Sequence, residues 1–276
     1  MNNRFLGNSP SLTKYDLLMQ LATAYNLSAF YVSMITEPET RNKGDRNATN
    51  YRLGSKNESL LNLMKTLFHG DDSSITDVFD HLRENKISLK AIATRNNLKA
   101  GNHRIGYINH FNHKERAPYL EGVAELIDKK TDQVIFLDPD TGIMPSYKKF
   151  SSGKTSSFLI STELKAILDV VSDSTIIMAH QLLTNHLYTH EDRVKDLQKD
   201  LQPNIILLVD EVVQSGVYFL TKNNAAHKKL AEFLWDYLKT YQFVKSNERV
   251  MLVIGNDEGV TIKHLGTISK ENAQGQ

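Results

Sequence analysis

The sequence predicts a three-layer α/β fold, in which helices cover both faces of a mostly parallel sheet and an antiparallel hairpin lies on the C-terminal side. Apolar runs rich in β-branched residues alternate with stretches whose apolar residues recur at helical spacing, which is the pattern of strand–helix–strand units. Near the C-terminus, NIILLVDEVV (204–213) and GVYFLT (216–221) are separated only by Gln214 and Ser215 and predict a β-hairpin.

The helices are predicted from apolar residues at three- and four-residue spacing. In the first of them Leu17, Leu18 and Leu21 share one face, and Ser11 or Thr13 is a suitable N-cap. The predicted helices span residues 11–25, 58–68, 74–83, 117–129, 162–171, 191–201 and 225–240.

The strands are predicted from short apolar, aromatic and β-branched runs. They span residues 28–35, 87–94, 133–137, 174–179, 204–213, 216–221, 249–254 and 259–265. We expect residues 1–244 to form a single α/β catalytic domain, followed by an appended β-hairpin over 245–268 and a disordered tail over 269–276.

Composition restricts the function classes. The 276 residues carry a formal net charge of +1, so any surface that binds nucleic acid has to be a local one. Because the chain has no cysteine, disulfides, thiolate zinc sites and a cysteine nucleophile are excluded. The N-terminus lacks the apolar core of a signal peptide and no run is long enough for a transmembrane helix, so we expect a cytoplasmic protein without membrane contact.

The apolar run VIFL (134–137) ends in Asp138-Pro139-Asp140. Carboxylates at the carboxyl end of a strand can orient a water, accept a proton from an amine or hold a metal. Ligands of open α/β sheets also bind beyond these strand ends. We therefore interpret Asp138 and Asp140 as catalytic, with a simple turn as the alternative for this Asp-Pro-Asp-Thr-Gly stretch.

His180 and Gln181 follow the next predicted strand, STIIMA. A histidine at this position can act as a general acid, or bind a phosphate or leaving group when it is charged. The alternative is a buried side chain with satisfied hydrogen bonds. Together with Asp138 on a neighbouring strand, His180 is predicted to be catalytic and Gln181 to contact the substrate.

Two basic segments are candidates for nucleic-acid contact. Residues 101–116 interleave cations with aromatic side chains, Arg104 and Tyr107 among them, and Lys148 and Lys154 follow the aspartates. A solvated loop is the alternative. The spacing of His110 and His113 also fits a pair of metal ligands, although no carboxylate or cysteine supports it, and we predict no metal site.

Asn8 and Lys14 lie at the start of the first predicted helix. They are predicted to bring an amide and a cation close to a ligand, and the helix N-terminus itself favours anions. Ordinary helix capping is the alternative interpretation of Asn8.

GNSPSLTKYDLL near the N-terminus, the aromatic strand after it and LDP at a strand end resemble the bacterial 23S rRNA adenine-N6 methyltransferase family. The resemblance implies a class I methyltransferase fold of Rossmann type, in which an Asp-Pro-Pro-Tyr motif follows the fourth strand. A closer resemblance, over residues 4 to about 241, is to an uncharacterised bacterial family with an LDPDNG-like motif and a histidine after the next strand.

Two departures from the methyltransferase pattern are visible. SMITEPETR (33–41) has no glycine where the family has a glycine-rich turn that binds S-adenosylmethionine. Asp140 and Thr141 replace the second proline and the aromatic residue of Asp-Pro-Pro-Tyr. Both departures argue against methyl transfer. LDPD also resembles, as a chemical analogy, the water-activating Asp-Pro motif of uracil-DNA glycosylases.

From the sequence we expect a DNA-acting hydrolase, a DNA glycosylase that excises a modified base, with phage DNA as its partner in antiviral defence. Asp138 would orient the water or stabilise the cationic sugar, Asp140 would support it, and His180 would assist the departing base. No cofactor is expected. The alternatives are an S-adenosylmethionine-dependent adenine-N6 methyltransferase, a non-catalytic nucleic-acid-binding relative and a metal-dependent nuclease.

Overall fold

A computed structural model of the chain describes residues 8–32, 34, 52–66, 81, 116–146, 158–183, 188–201, 204–241 and 249–265. The helices in these ranges are α1 (Ser9–Ala24), α2 (Glu58–Thr66), α3 (Arg116–Leu126), α4 (Ser161–Val170), α5 (His190–Leu201) and α6 (Asn224–Lys239). The strands are β1 (Ser28–Val32), β2 (Gln133–Leu137), β3 (Gly142–Ile143), β4 (Phe158–Leu159), β5 (Ile176–Leu182), β6 (Asn204–Asp210), β7 (Ser215–Thr221), β8 (Val250–Asn256) and β9 (Gly259–His264).

Seven strands form one mixed sheet in the order β1-β2-β5-β7-β6-β8-β9. The neighbours β1, β2 and β5 are parallel, whereas β7 is antiparallel to both β5 and β6, and β8 and β9 continue the sheet in antiparallel pairs. The α/β class is confirmed, but the prediction of a mostly parallel sheet is wrong. The hairpin returns β7 into the sheet between β5 and β6 instead of leaving it at an edge, and this creates two antiparallel pairs at once.

The direction of the strands still brings four carboxyl ends to one edge. Because β5 and β6 are both antiparallel to β7, they point the same way, and β1 and β2 run parallel to β5. The ends of β1, β2, β5 and β6 therefore lie together, which is where open α/β sheets bind their ligands.

The predicted elements within the described ranges are present, with ends shifted by a few residues. Strand β5 runs to Leu182, so His180 and Gln181 belong to the strand and do not follow it. β8 hydrogen-bonds to β6, so the strands predicted as an appended hairpin extend the main sheet. The predicted strand 87–94, most of the predicted helix 74–83 and the tail 269–276 lie outside the described residues.

Two apolar clusters cover the two faces of the sheet. Helices α1, α2 and α6 pack on one face and α3, α4 and α5 on the other. The strands supply alternate residues to the two clusters, as the two-residue repeat of a strand requires. None of the described helices is both long and apolar enough to cross a bilayer.

A buried carboxylate ties α1 to α6. Asp16 is fully buried and accepts hydrogen bonds from Tyr237 Oη at 2.9 Å, Tyr241 Oη at 3.3 Å and Asn57 Nδ2 at 3.1 Å. Burial raises the pKa of Asp16 above its usual range, although the Tyr237 hydroxyl opposes that shift. These bonds fix the position of α1, which carries part of the candidate site.

Candidate active site

A row of polar side chains crosses one face of the sheet at the shared edge of strand ends. Tyr31 on β1, Asp138 after β2, His180 on β5, Ser215 on β7 and Asp210 on β6 all belong to it. All of them are buried. Such a row is unusual because buried polar groups are destabilising unless they are paired.

The strand register explains why these side chains share a face. Leu137 pairs with Ala179, so the next residue of each strand, Asp138 and His180, points to the opposite face from that pair. Asp210 of β6 and Ser215 of β7 are direct register partners, and partners across a ladder lie on the same face.

Asp138 forms a buried ion pair with Lys14 of α1. Lys14 Nζ lies 2.9 Å from Oδ1 and 3.2 Å from Oδ2 of Asp138. Tyr31 Oη donates to Oδ2 at 2.9 Å, and Tyr15 Oη lies 3.0 Å from Tyr31 Oη. Asp138 is fully buried and Lys14 is 4% exposed, so solvent does not screen the pair.

The start of α1 places Lys14 and Tyr15 over the sheet. Asn8 is the N-cap of the helix, and its side chain accepts a hydrogen bond from Ser11 N at 2.9 Å. The structure therefore places Asn8 as a capping residue, six positions before the cation. Whether Asn8 also contacts a substrate stays a prediction.

The charge of Asp138 is set by two opposing effects. Burial is the largest single effect and acts to raise the pKa of the carboxyl group, but its positive neighbours, Lys14 first among them, together leave the pKa of Asp138 below its usual range. Asp138 is therefore an anion at neutral pH. A carboxylate with so low a pKa is a weak base, so its use lies in its charge and its hydrogen-bond acceptors.

His180 lies between Asp138 and Ser215. Its Nδ1 is 3.7 Å from Asp138 Oδ1 and 3.4 Å from the Pro139 carbonyl oxygen, and its Nε2 is 3.1 Å from Ser215 Oγ. Because a carbonyl oxygen only accepts, we assign the ring proton to Nδ1. The Ser215 hydroxyl then donates to Nε2.

The imidazole of His180 is neutral at physiological pH. Burial lowers its pKa most, and repulsion by Lys14 adds to burial, so that the pKa falls to about 3. Attraction by Asp138 acts in the other direction and does not offset burial and the repulsion by Lys14.

The loop after Asp138 is fixed by Gln181. Gln181 Oε1 accepts from Ile143 N at 2.9 Å, and Nε2 donates to the Leu182 carbonyl at 2.8 Å. Gly142 has a φ of +107°, and a Cβ atom there would lie 2.7 Å from Gln181 Oε1. The amide of Gln181 is thus engaged in shaping the loop, and its predicted contact with a substrate stays a prediction.

Asp140 is partly exposed on this loop, two residues beyond the buried Asp138. Arg104, Tyr107, Lys148 and Lys154, which we predicted to contact the substrate, lie outside the described residues. The same is true of His110 and His113. Within the described ranges, no group of three carboxylate or imidazole side chains is placed to hold a metal ion.

Four residues of the site were not predicted from the sequence. Tyr15 and Tyr31 were assigned to elements without a role, and Asp210 and Ser215 were regarded as parts of a hairpin. A usable signal existed for Asp210, because NIILLVD ends on an aspartate just as VIFLD does. No sequence signal pointed to Ser215.

Comparison with known protein families finds no family model that matches the chain, and no curated protein matches it. The chain is similar to the crystal structure of a protein from Legionella pneumophila strain Philadelphia 1, which is assigned to the family model DUF519. The two share 13% sequence identity with a TM-score of 0.48, over 94% of this chain and 97% of that one. A similarity this low says nothing about the activity or the ligand of the present chain.

The ion pair gives a stability prediction. Removing one partner leaves a buried charge uncompensated, so we expect Lys14→Met to destabilise the fold by about 3–5 kcal/mol. The double variant Lys14→Met/Asp138→Leu removes both charges and should recover a large part of that loss. Urea unfolding of the single and double variants measures both effects.

The exposed pair Lys165–Asp169 on α4 is a matched control, because its N–O distance of 2.8 Å is similar but both side chains are about half exposed. Lys165→Met should cost less than about 1 kcal/mol. Equal losses for Lys14→Met and Lys165→Met would contradict the account of the buried pair.

Proposed function

We propose that this protein is a hydrolase that cleaves the N-glycosidic bond of a nucleotide in DNA and so releases a modified base. The observation that carries the proposal is the buried Lys14–Asp138 ion pair beside the neutral imidazole of His180. Phage DNA with modified bases is the partner we propose, in the setting of antiviral defence, inside the cell.

The ion pair offers both charges that this reaction needs. As the bond between C1′ of the sugar and the base nitrogen breaks, its electron pair leaves with the base, which becomes negative, while the sugar becomes an oxocarbenium-like cation. A water then bonds to C1′ and its proton is released, and the base takes up a proton. Asp138 stabilises the cation and the incoming water, and the Nδ1–H group of His180 stabilises the departing base by a hydrogen bond.

The neutral state of His180 suits this role. As a neutral donor it can share its Nδ1 proton with the departing base without a prior protonation step. Its contact with the Pro139 carbonyl is long, at 3.4 Å, and is easily exchanged for a stronger acceptor. A neutral imidazole does not bind phosphate by charge, so we assign the phosphate contacts to the basic segments outside the described residues.

Access to Asp138 requires a displacement. The carboxylate is fully buried, and the His180 side chain beside it is 8% exposed. We place the entry at His180, because its ring lies 3.7 Å from Asp138 and is the more exposed of the two side chains. The base has to leave the DNA stack to reach it, as in other enzymes that act on a base.

The test is incubation with plain and phage-modified DNA, followed by mass analysis of the released bases and by detection of alkali-labile sites. Asp138→Asn keeps the shape of the side chain and removes the charge, so base release should fall by about 100-fold or more while DNA binding persists. Asp169→Asn is the control, because it removes a carboxylate charge from an exposed position of α4 outside the row. Unchanged base release by Asp138→Asn would refute the proposal.

The second candidate is methyl transfer to an adenine amino group with S-adenosylmethionine as cofactor. The hairpin that returns an antiparallel strand into the sheet favours it, because it also suits the class I methyltransferase fold, and Asp138 follows a strand as the family's motif does. Electrostatics favour hydrolysis. An attacking amine gains positive charge, and repulsion by the Lys14 ammonium beside Asp138 opposes this.

Calorimetry with S-adenosylmethionine separates the two candidates. Hydrolysis predicts no binding, because residues 33–41 have no glycine-rich turn to hold the cofactor. Micromolar binding would instead support methyl transfer.

A further inference from the structure

Asp210 is a second carboxyl group of the polar row that the proposed reaction leaves unused. It ends β6 and lies opposite Ser215 in the register of the β6–β7 ladder. Ser215 Oγ in turn lies 3.1 Å from His180 Nε2. Asp210 is 2% exposed and is thus as deeply buried as the rest of the row.

The two oxygens of Asp210 differ in their partners. Oδ1 accepts hydrogen bonds from Val212 N at 3.0 Å and Val213 N at 3.4 Å, which fixes the turn after β6. Oδ2 is buried and has no hydrogen-bond partner in the described part of the chain. Buried carboxyl oxygens are almost always paired, so an unpaired one is a reason to look for a ligand.

The two arginines whose charges act on Asp210 do not supply the missing hydrogen bond to Oδ2. Burial raises the pKa of Asp210, and the attraction of Arg52 and Arg249 opposes that shift without a hydrogen bond to Oδ2. The Arg249 side chain instead faces Glu211, with Nε 3.6 Å from Glu211 Oε2. Asp210 Oδ2 is therefore a buried acceptor without a hydrogen bond in the described part of the chain.

We propose that Asp210 Oδ2 accepts a hydrogen bond from the exocyclic amino group of the substrate base. This inference rests on the proposed function and narrows its substrate to amino-bearing bases of the cytosine or adenine type. One open acceptor matches one amino donor, whereas a keto base would place its oxygen against the carboxyl oxygen. Aspartate reads the amino group of cytosine in this way in protein–DNA recognition.

The strand register fixes how far apart the groups of the row lie. Neighbouring strands are about 4.8 Å apart and successive residues about 3.3 Å apart, and Asp210 lies two strands across and two residues along from His180. The backbone of Asp210 is therefore roughly 12 Å from that of His180 and roughly 16 Å from that of Asp138. The substrate base has to extend from the His180 side of the row, over Ser215, to bring its amino group to the Asp210 side chain.

Nucleotide binding tests the assignment without catalysis. The probes are deoxycytidine and deoxyuridine monophosphate, which differ in one amino group, and their affinities for the full chain are measured by calorimetry. We expect the wild type to prefer deoxycytidine monophosphate at least tenfold. In Asp210→Asn, Oδ1 still accepts from the turn but an amide donor replaces Oδ2, so the preference should reverse toward deoxyuridine monophosphate.

Asp169→Asn, an exposed change on α4, should keep the preference of the wild type. Equal affinities in the wild type, an unchanged preference in Asp210→Asn, or no binding of either probe would each overturn the assignment. Failure of the proposed reaction looks different, because the cytosine preference would then be present while no base is ever released. Equal release of cytosine-type and uracil-type bases would retain the reaction and remove the role of Asp210.

Discussion

The buried ion pair between Lys14 and Asp138 is the constraint on which the site depends. Each charge alone would be strongly unfavourable away from water, so α1 must stay over the end of β2 for the fold to be stable. The pair thereby fixes the helix, the strand end and the tyrosine hydroxyls between them. The Lys14 charge also helps to keep the His180 imidazole in its neutral form, and the proposed chemistry uses this neutral donor.

Burial and the charges of the ion pair determine the protonation of the side chains around it. Burial and the charge of Asp138 raise the pKa of Tyr31 well above its usual range, so Tyr31 stays a hydrogen-bond donor to the carboxylate. His180 stays neutral because burial and the charge of Lys14 both disfavour its protonated form. The site thus contains one fixed anion, one fixed cation and neutral donors, an arrangement that suits a reaction in which opposite charges develop side by side.

The sequence was informative where local pattern decides structure. VIFL followed by Asp138 predicted a buried strand with a carboxylate at its end, and the same reasoning singled out His180. The contact of Lys14 with Asp138 spans 124 positions, and no local pattern reveals its partner. The position of β7 in the sheet was likewise not predictable, since a hairpin fits equally well at the edge of a sheet or between two of its strands. Ser215 was missed for this reason, because only the inserted strand brings it next to His180.

The protonation of His180 tests the central claim most directly. Nitrogen-15 chemical shifts of its imidazole, followed from pH 8 to pH 4, report both the tautomer and the pKa. A folded-state pKa near 3 predicts a neutral ring with the proton on Nδ1 over this whole range, and a higher pKa when Lys14→Met removes the neighbouring charge. Protonation of the wild-type ring near its ordinary pKa of about 6.5, unaffected by Lys14→Met, would contradict the account.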